Sequence, residues 1–456
     1  MTNKETNVSR RDFFKGSALG VLGTVAVPTI LTGCSSSGSS DKEVKLKDVV
    51  VPEILPKAPD GKALTAGLVG CGDRGAGAAV DFISAGTGLT VTALGDVFPD
   101  KMEVCRKSLK NKGIDVPDDR CFIGFDAYKK VIDSGVDVVL LCAPPVFRAE
   151  HFDYAISKNK HCFIEKPCGT DPVSAKKVLA TGKVAASKGL SIISGTIRRS
   201  QKDCIETYRR VAGGAIGEII SAHVTRLGGA LWHIKRKPEW SDMEYMLRNW
   251  VNFNWTSGDL IVEQFIHEID QMTWFMGDKH PIRAEATGGR QRRYNGDMYD
   301  FFSVEYVYDN GRRAHCTSRQ IGGCDNSHGI FVYGTKGYTN CNNTIFNLDG
   351  SVAWKYPYPK KDDADQTWAV PNPYVQEHIR LVTAIRTDKP VNDVDVHVQS
   401  TLIAMMGRES AYTGKFVTWE QINASTMKLG PSEYAFGPVP GIPETPPVAG
   451  ISPVTE

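Results

Sequence analysis

The stretch from Leu64 to Asp96 constrains this chain more than any other. An apolar run, Leu64 to Val69, leads directly into Gly70-Cys71-Gly72-Asp73-Arg74-Gly75, and a helix-like segment, Ala76 to Ala85, follows. Leu89 to Leu94 then alternates like a strand and ends at Asp96, 26 residues beyond Gly70. A lone G-x-G-x-x-G is weak, but between a strand and a helix, with an acid further on, it predicts a βαβ unit that holds a dinucleotide. Gly70 allows a tight turn, Gly72 lets backbone N–H groups approach a pyrophosphate, and Gly75 lets helix and strand pack closely. The helix N-terminus adds partial positive charge. Asp73 and Arg74 belong to the same turn. Asp96 is placed to accept hydrogen bonds from the adenosine ribose, and its carboxylate repels a 2′-phosphate, which favours NAD over NADP.

The alternation continues. Val136 to Cys142 predicts a buried strand ending in Ala143-Pro144-Pro145, and Ala149–Lys158 a helix. His161 to Ile164 predicts a strand running into Glu165-Lys166-Pro167, followed by a helix over about Ser174–Ser187 and a strand over Leu190–Ser194. Strands separated by helices imply an α/β protein with a parallel, doubly wound sheet, whose ligands lie beyond the carboxyl ends of the strands. Asp96, Ala143, Pro144, Glu165 and Lys166 all fall at such ends.

The 456 residues exceed one small module and imply two or more domains. A composition of 41% hydrophobic and 23% charged residues, without an unbroken 20-residue apolar stretch, argues against disorder and against a membrane-embedded body. The net charge is +2, and the first 33 residues hold Lys4, Arg10, Arg11 and Lys15 against Glu5 and Asp12. The remainder is formally neutral, so no nucleic-acid partner is expected. The cysteines beyond Cys34 form no C-x-x-C pair and several sit in apolar runs, so they read as small buried hydrophobes and no metal is expected.

The ends differ from the body. Ser9-Arg10-Arg11-Asp12-Phe13-Phe14-Lys15 precedes a weakly apolar run to Gly33, which looks like a Tat export signal. The run ends Leu31-Thr32-Gly33-Cys34, which resembles a lipobox with Cys34 as the lipidated residue. We therefore expect a signal over 1–33, a Ser-, Lys- and Pro-containing tether over 34–62, a nucleotide-binding domain over 63–196, a second domain over 197–425, and a tail over 426–456. Seven of the 24 prolines fall in residues 430–456, so that tail should run extended along the surface. The expected location is a periplasm-facing or outer-membrane lipoprotein of a Gram-negative bacterium, attached to the membrane only through its N-terminal lipid.

A strand ending Glu165-Lys166-Pro167, after the glycine turn and an Ala-Pro strand end, resembles the Gfo/Idh/MocA family, named for glucose-fructose oxidoreductase and inositol dehydrogenase. The stretch Gly258-Asp259-Leu260-Ile261-Val262-Glu263-Gln264-Phe265-Ile266-His267-Glu268-Ile269-Asp270 is similar to that family's carboxylate-x-x-x-His-x-x-Asp helix. Asp309-Asn310-Gly311 and Gly334-Thr335-Lys336-Gly337 sit where it has strand turns. The resemblance covers roughly residues 63–425. It implies a second α/β domain with an open, mainly antiparallel sheet, beginning near Gly217 and closing with a helix over about Val391–Tyr412, and an assembly of two or four copies. The sequence agrees independently, because Ser303–Tyr308 and Arg312–Ser318 are β-rich runs joined through Asn-Gly, a hairpin signal. Trp250 to Phe275 reads as loop and then helix.

The resemblance implies that Lys166 hydrogen-bonds a reacting hydroxyl and that His267 is the general base of hydride transfer. Glu263, four residues earlier, would share a helix face with His267 and either orient the imidazole or bind a sugar hydroxyl. Arg148 or His151 could reach the nicotinamide ribose or substrate, or form a solvated helix start. Arg199 and Asp270 are further substrate contacts to test. Residues 232–255 hold Trp232, His233, Trp240, Trp250 and Trp255 among basic and amide side chains. They form either a platform on which a sugar ring stacks or a strip that holds a partner subunit.

An exported dehydrogenase has no nicotinamide pool to draw on, so its NAD must stay tightly bound. The expected activity is oxidation of a secondary hydroxyl of a sugar or glycoside, at C3 of a pyranoside. The alternatives are NAD-dependent glycoside cleavage by transient oxidation and elimination, and a lipid-anchored sugar-binding protein without catalysis.

Overall fold

A computed structural model describes residues 51–443 and 445–450; the twin-arginine stretch and Cys34 lie outside the described residues. The first sheet has six parallel strands: β1 (Leu64–Val69), β2 (Leu89–Asp96), β3 (Cys121–Ile123), β4 (Val138–Leu141), β5 (His161–Ile164) and β6 (Ile192–Ser194). Their spatial order is β3-β2-β1-β4-β5-β6, with Leu64 opposite Leu89 and Ala66 opposite Val138. Ala66, Leu68, Val138, Val139, Leu140 and Phe163 are fully buried, which explains why β1, β4 and β5 read as continuous apolar runs and not as alternation. The strand order reverses between β1 and β4, and the crevice beyond that reversal is where a doubly wound sheet binds its ligand.

Two glycines make the crevice possible. Gly70 has φ +96°, a region that favours glycine, and a Cβ on Gly75 would stand 1.8 Å from the Gly70 carbonyl oxygen. The helix can thus begin against the turn itself. It runs Asp73–Ser84 and starts earlier than the apolar pattern suggests, because Ala76 N already donates to Gly72 O at 2.9 Å.

The second sheet has nine strands. They are β7 (Ile219–Gly228), β8 (Arg283–Gly289), β9 (Phe301–Val307), β10 (Arg313–Gln320), β11 (Ser327–Gly334), β12 (Gly337–Thr339), β13 (Thr344–Asn347), β14 (Val352–Lys355) and β15 (Val417–Thr418). The order is β14-β13-β12-β11-β7-β10-β9-β8-β15, antiparallel except where β7 and β10 run parallel. The Asn310-Gly311 turn joins β9 to β10, with Ser303 opposite Thr317. Apolar side chains on one face, among them Phe302, Val304 and Tyr306, pack beneath the helices Ile266–Phe275 and Val394–Thr413. Tyr306 Oη donates to Ile403 O at 2.9 Å, tying sheet to helix.

Among the described residues, the tail has no regular strand or helix after Ala424. It runs across aromatic side chains of both halves: Tyr434 lies 4.9 Å from Phe147, Phe436 lies 5.1 Å from Phe125, and Gly437 O accepts a bond from Met243 N.

The helix Pro373–Arg386 backs the first sheet and buries His378 with its ring 4.5 Å from Phe163 and 6.0 Å from Phe82. Neither ring nitrogen has a hydrogen-bond partner, so His378 serves as an aromatic. Burial, reinforced by Arg74, pushes its pKa down to about 3; burial does the same to His397. An unfolded imidazole takes its proton near 6.5, so between those values the unfolded chain binds protons that the native state refuses. Stability is therefore full above pH 6.5 and falls as the pH drops toward 3. We expect His378→Phe to fold and to flatten the decline of Tm on acidification; a decline as steep as the wild type's would refute this account.

Candidate active site

A cavity of about 600 Å³ opens at the strand-order reversal, within the range that takes a cofactor and a small substrate. The first sheet supplies one wall from successive strand ends. These are Gly70 and Gly72–Gly75 after β1, Asp96–Phe98 after β2, Phe125 after β3, Ala143–Pro145 after β4, and Glu165 and Lys166 after β5. The second half supplies the opposite wall: Trp232, Ile234, Leu247, Arg248, Trp250, Glu263 and His267.

The glycine end fits a dinucleotide. Space above Gly72 is open, with nothing within 4 Å of where a Cβ would stand. No side chain caps the helix that begins there, so its amide end and dipole are available to a pyrophosphate. Asp96 accepts from Cys71 N at 2.6 Å and Phe98 N at 2.8 Å, which fixes the carboxylate at the cavity edge. Burial raises its pKa, and these two N–H groups oppose the rise. Arg74 turns away from the glycines to Glu165, Asp81 and Glu377, and lies under the Tyr374 ring. Glu165 is held on its other oxygen by Lys166 N.

At the opposite end Lys166 follows β5 at a cis peptide bond to Pro167. Its Nζ donates to Glu263 Oε1 and to Glu263 O, both at 2.6 Å. An ammonium has three donors, so one is left for the cavity. The side chains are 13% and 6% exposed, which makes this a largely desolvated ion pair. His267 lines the same cavity. Burial first, then the charges of Lys166, Arg226, Arg198 and Arg74, hold its pKa well below the usual imidazole value, so the ring is neutral.

The geometry corrects several expectations. Glu263 pairs with Lys166 and not with His267, and the two do not share one helix. A short turn, Asp259–Glu263, ends where Phe265 N bonds back to Leu260 O, and a new helix starts at Ile266. Arg148 is buried and not at a solvated helix start; it lines the cavity, and its Nη1 and Nε donate to Leu141 O at 2.6 Å and Pro167 O at 3.2 Å, bracing two strand ends. His151 lines the cavity but is stacked between Tyr128 and Phe147, and burial pushes its pKa down to about 3. Arg199 and Asp270 lie outside the cavity and bind each other, Arg199 Nε reaching both carboxylate oxygens at 3.0 Å and its other nitrogens reaching Asp278. Trp255 is buried against Tyr434, and His233 bonds Tyr245 Oη at 2.9 Å; neither lines the cavity. Of the aromatic stretch, Trp232 and Trp250 face the cavity, and Trp232 is 46% exposed.

Arg248 counts in the sequence only as one of the basic residues among the tryptophans, and nothing there points to Asp100. Arg248 stacks on Phe98 at 4.1 Å and grips Asp100 with two bonds of 3.0 Å, joining the second wall to the helix after β2. The alternation of tryptophan with basic residues was the available signal; which arginine crosses the cleft depends on the fold.

Residues 64–193 match the family described as "Oxidoreductase family, NAD-binding Rossmann fold", and residues 206–340 match "GFO/IDH/MocA C-terminal domain". The chain is 24% identical over 215 residues to an inositol 2-dehydrogenase of Rhizobium meliloti, covering 46% of this chain and 58% of that one. It is 25% identical over 193 residues to the Paracoccus denitrificans inositol 2-dehydrogenase, covering 42% and 48%. These matches thus span about half the length of the curated relatives. The fold is that of scyllo-inositol dehydrogenase from Lactobacillus casei, with TM-score 0.59 and 20% identity over 79% of this chain and 99% of that one. It is also that of aldose-aldose oxidoreductase from Caulobacter crescentus, with TM-score 0.60 and 17% identity over 78% and 100%. With residues 64–193 and 206–340 matched, together more than half its length, this chain belongs to the Gfo/Idh/MocA oxidoreductase family, and residues 64–193 are an NAD-binding Rossmann domain.

Proposed function

We propose that this protein is an exported, lipid-anchored dehydrogenase that keeps NAD bound and oxidises a secondary hydroxyl of a sugar, glycoside or cyclic polyol, with C3 of a pyranoside as the position attacked. One observation carries the reading: a buried ammonium with a spare donor and a neutral imidazole line the cavity that begins at the glycine turn. NAD, when bound, would supply the two-electron acceptor for oxidation of a carbinol to a ketone. Gly70, Gly72, Gly75 and Asp96 would hold it. Lys166 donates its free N–H to the reacting oxygen and stabilises the negative charge that develops there. His267 takes the hydroxyl proton at a ring nitrogen. Glu263 anchors the ammonium, and Trp232 and Trp250 offer flat apolar surface to the C–H face of a ring.

The inositol dehydrogenases among the relatives support a cyclic polyhydroxy substrate. The twin-arginine stretch and Cys34 support export of a folded, anchored protein. The Arg248–Asp100 bridge and the tail over Phe125 and Phe147 support a nucleotide that stays in place.

In a protein loaded with NAD, glycosides and inositols should produce near-ultraviolet nicotinamide absorbance. Lys166→Ala should leave nucleotide binding intact and lower turnover by roughly 10²–10⁴-fold; wild-type turnover in that variant would remove Lys166 from the chemistry. Free sugar released from a glycoside without accumulation of reduced nicotinamide would assign cleavage in place of net oxidation. Arg248→Ala should speed nucleotide loss on dialysis, and unchanged retention would show that the bridge does not hold it.

A further inference from the structure

The Lys166–Glu263 pair is the inner end of a longer row. Glu263 Oε2 accepts from Gln264 Nε2 at 2.5 Å, and Gln264 Oε1 accepts from Arg226 Nη2 at 3.2 Å. Arg226 Nη1 donates to Glu268 Oε1 at 2.7 Å, and His328 Nε2 donates to the same oxygen at 2.5 Å. Glu268 is 2% exposed, whereas His328 stands on β11 opposite Arg226 of β7, at the solvent side of the sheet. Neither Gln264 nor Arg226 lines the cavity.

The row has a direction. A guanidinium only donates and a carboxylate only accepts, so an amide between them has one orientation: carbonyl to Arg226, NH₂ to Glu263. Turning it over would set N–H against N–H and oxygen against oxygen. Gln264 thus pins the Glu263 oxygen that Lys166 does not use, and Glu268 pins Arg226. Without the amide, the Glu263 carboxylate can rotate and carry the ammonium with it.

We infer that Gln264 and Arg226 are positioning residues for the hydride transfer proposed above: they fix the Glu263 carboxylate so that the remaining Lys166 N–H points at the reacting oxygen. The inference rests on that reading of Lys166 and His267. Arg226 has a second effect that sets it apart from a merely structural residue. After burial and Lys166, it is the next group that depresses the His267 pKa, ahead of Arg198 and Arg74; Asp73, Asp96, Glu165 and Glu263 are the carboxylates on the same cavity. Loss of the Arg226 charge should therefore raise the His267 pKa.

The test compares Gln264→Leu, Arg226→Met and Arg226→Lys as full-length, NAD-loaded proteins. Gln264→Leu should lower kcat roughly ten- to a hundredfold, as misplaced catalytic groups do, with nucleotide affinity unchanged. Arg226→Met should move the acid limb of the kcat/KM profile to higher pH, and Arg226→Lys should restore it. His267 is also titrated by NMR in each protein, with His267→Gln for assignment, which requires no substrate. A raised His267 pKa in Arg226→Met but not in Arg226→Lys supports the inference independently of which hydroxyl substrate is turned over. Wild-type kcat in Gln264→Leu, or a His267 pKa unmoved in Arg226→Met, overturns it.

Discussion

The ion pair between Lys166 and Glu263 joins the two halves of this protein at the point where chemistry is possible. Lys166 arrives at the end of a buried parallel strand, and Glu263 at the end of a short turn beneath the second sheet, with 2.6 Å between charged atoms. In a site from which water is largely excluded, separating such a pair is expensive, and leaving either charge alone is more so. The two domains are therefore held in one mutual arrangement by the same group that is poised to act. His267 gains from the arrangement too, since the ammonium helps keep its ring neutral.

Around that pair, buried cations serve mainly as braces. Arg148 ties the end of β4 to the turn after Lys166. Arg199 ties the segment after β6 to Asp270 and Asp278. Arg408, fully buried, donates to Thr170 O, Gly258 O and the Asn254 side chain, linking its own helix to two other stretches. Arginine suits the task because its planar fork reaches several carbonyls or carboxylates at fixed angles and stays charged when buried. A buried arginine near a cavity is thus as much a sign of construction as of catalysis: Arg199 is committed to carboxylates outside the cavity, while Arg148 braces two strand ends and lines it as well.

The nucleotide half was legible because its signals are local. A glycine with positive φ, a helix start and an acid at the next strand end all lie within one βαβ unit, and backbone sterics dictate their residue types. The Asn310-Gly311 hairpin was legible for the same reason. The spacing Glu263 to His267 misled, because it promised a continuous helical turn that Gln264 and Phe265 interrupt. Among the tryptophans, the sequence marks a region but not which rings turn outward; Trp255 is claimed by the tail residue Tyr434, nearly two hundred positions away.

What the sequence determined by itself is the parallel sheet, the glycine turn, the Asn310-Gly311 hairpin and the identity of the groups at the strand ends, since each follows from periodicity and from the conformations a residue can adopt; the rest of the second sheet came from the resemblance to the family. What only the tertiary structure decided is partnership. Lys166 takes Glu263, Arg199 takes Asp270, and Arg248 crosses to Asp100, each across a gap of 71 residues or more. Such pairings are fixed by how two separately folded sheets come to face one another, and no local pattern carries that information.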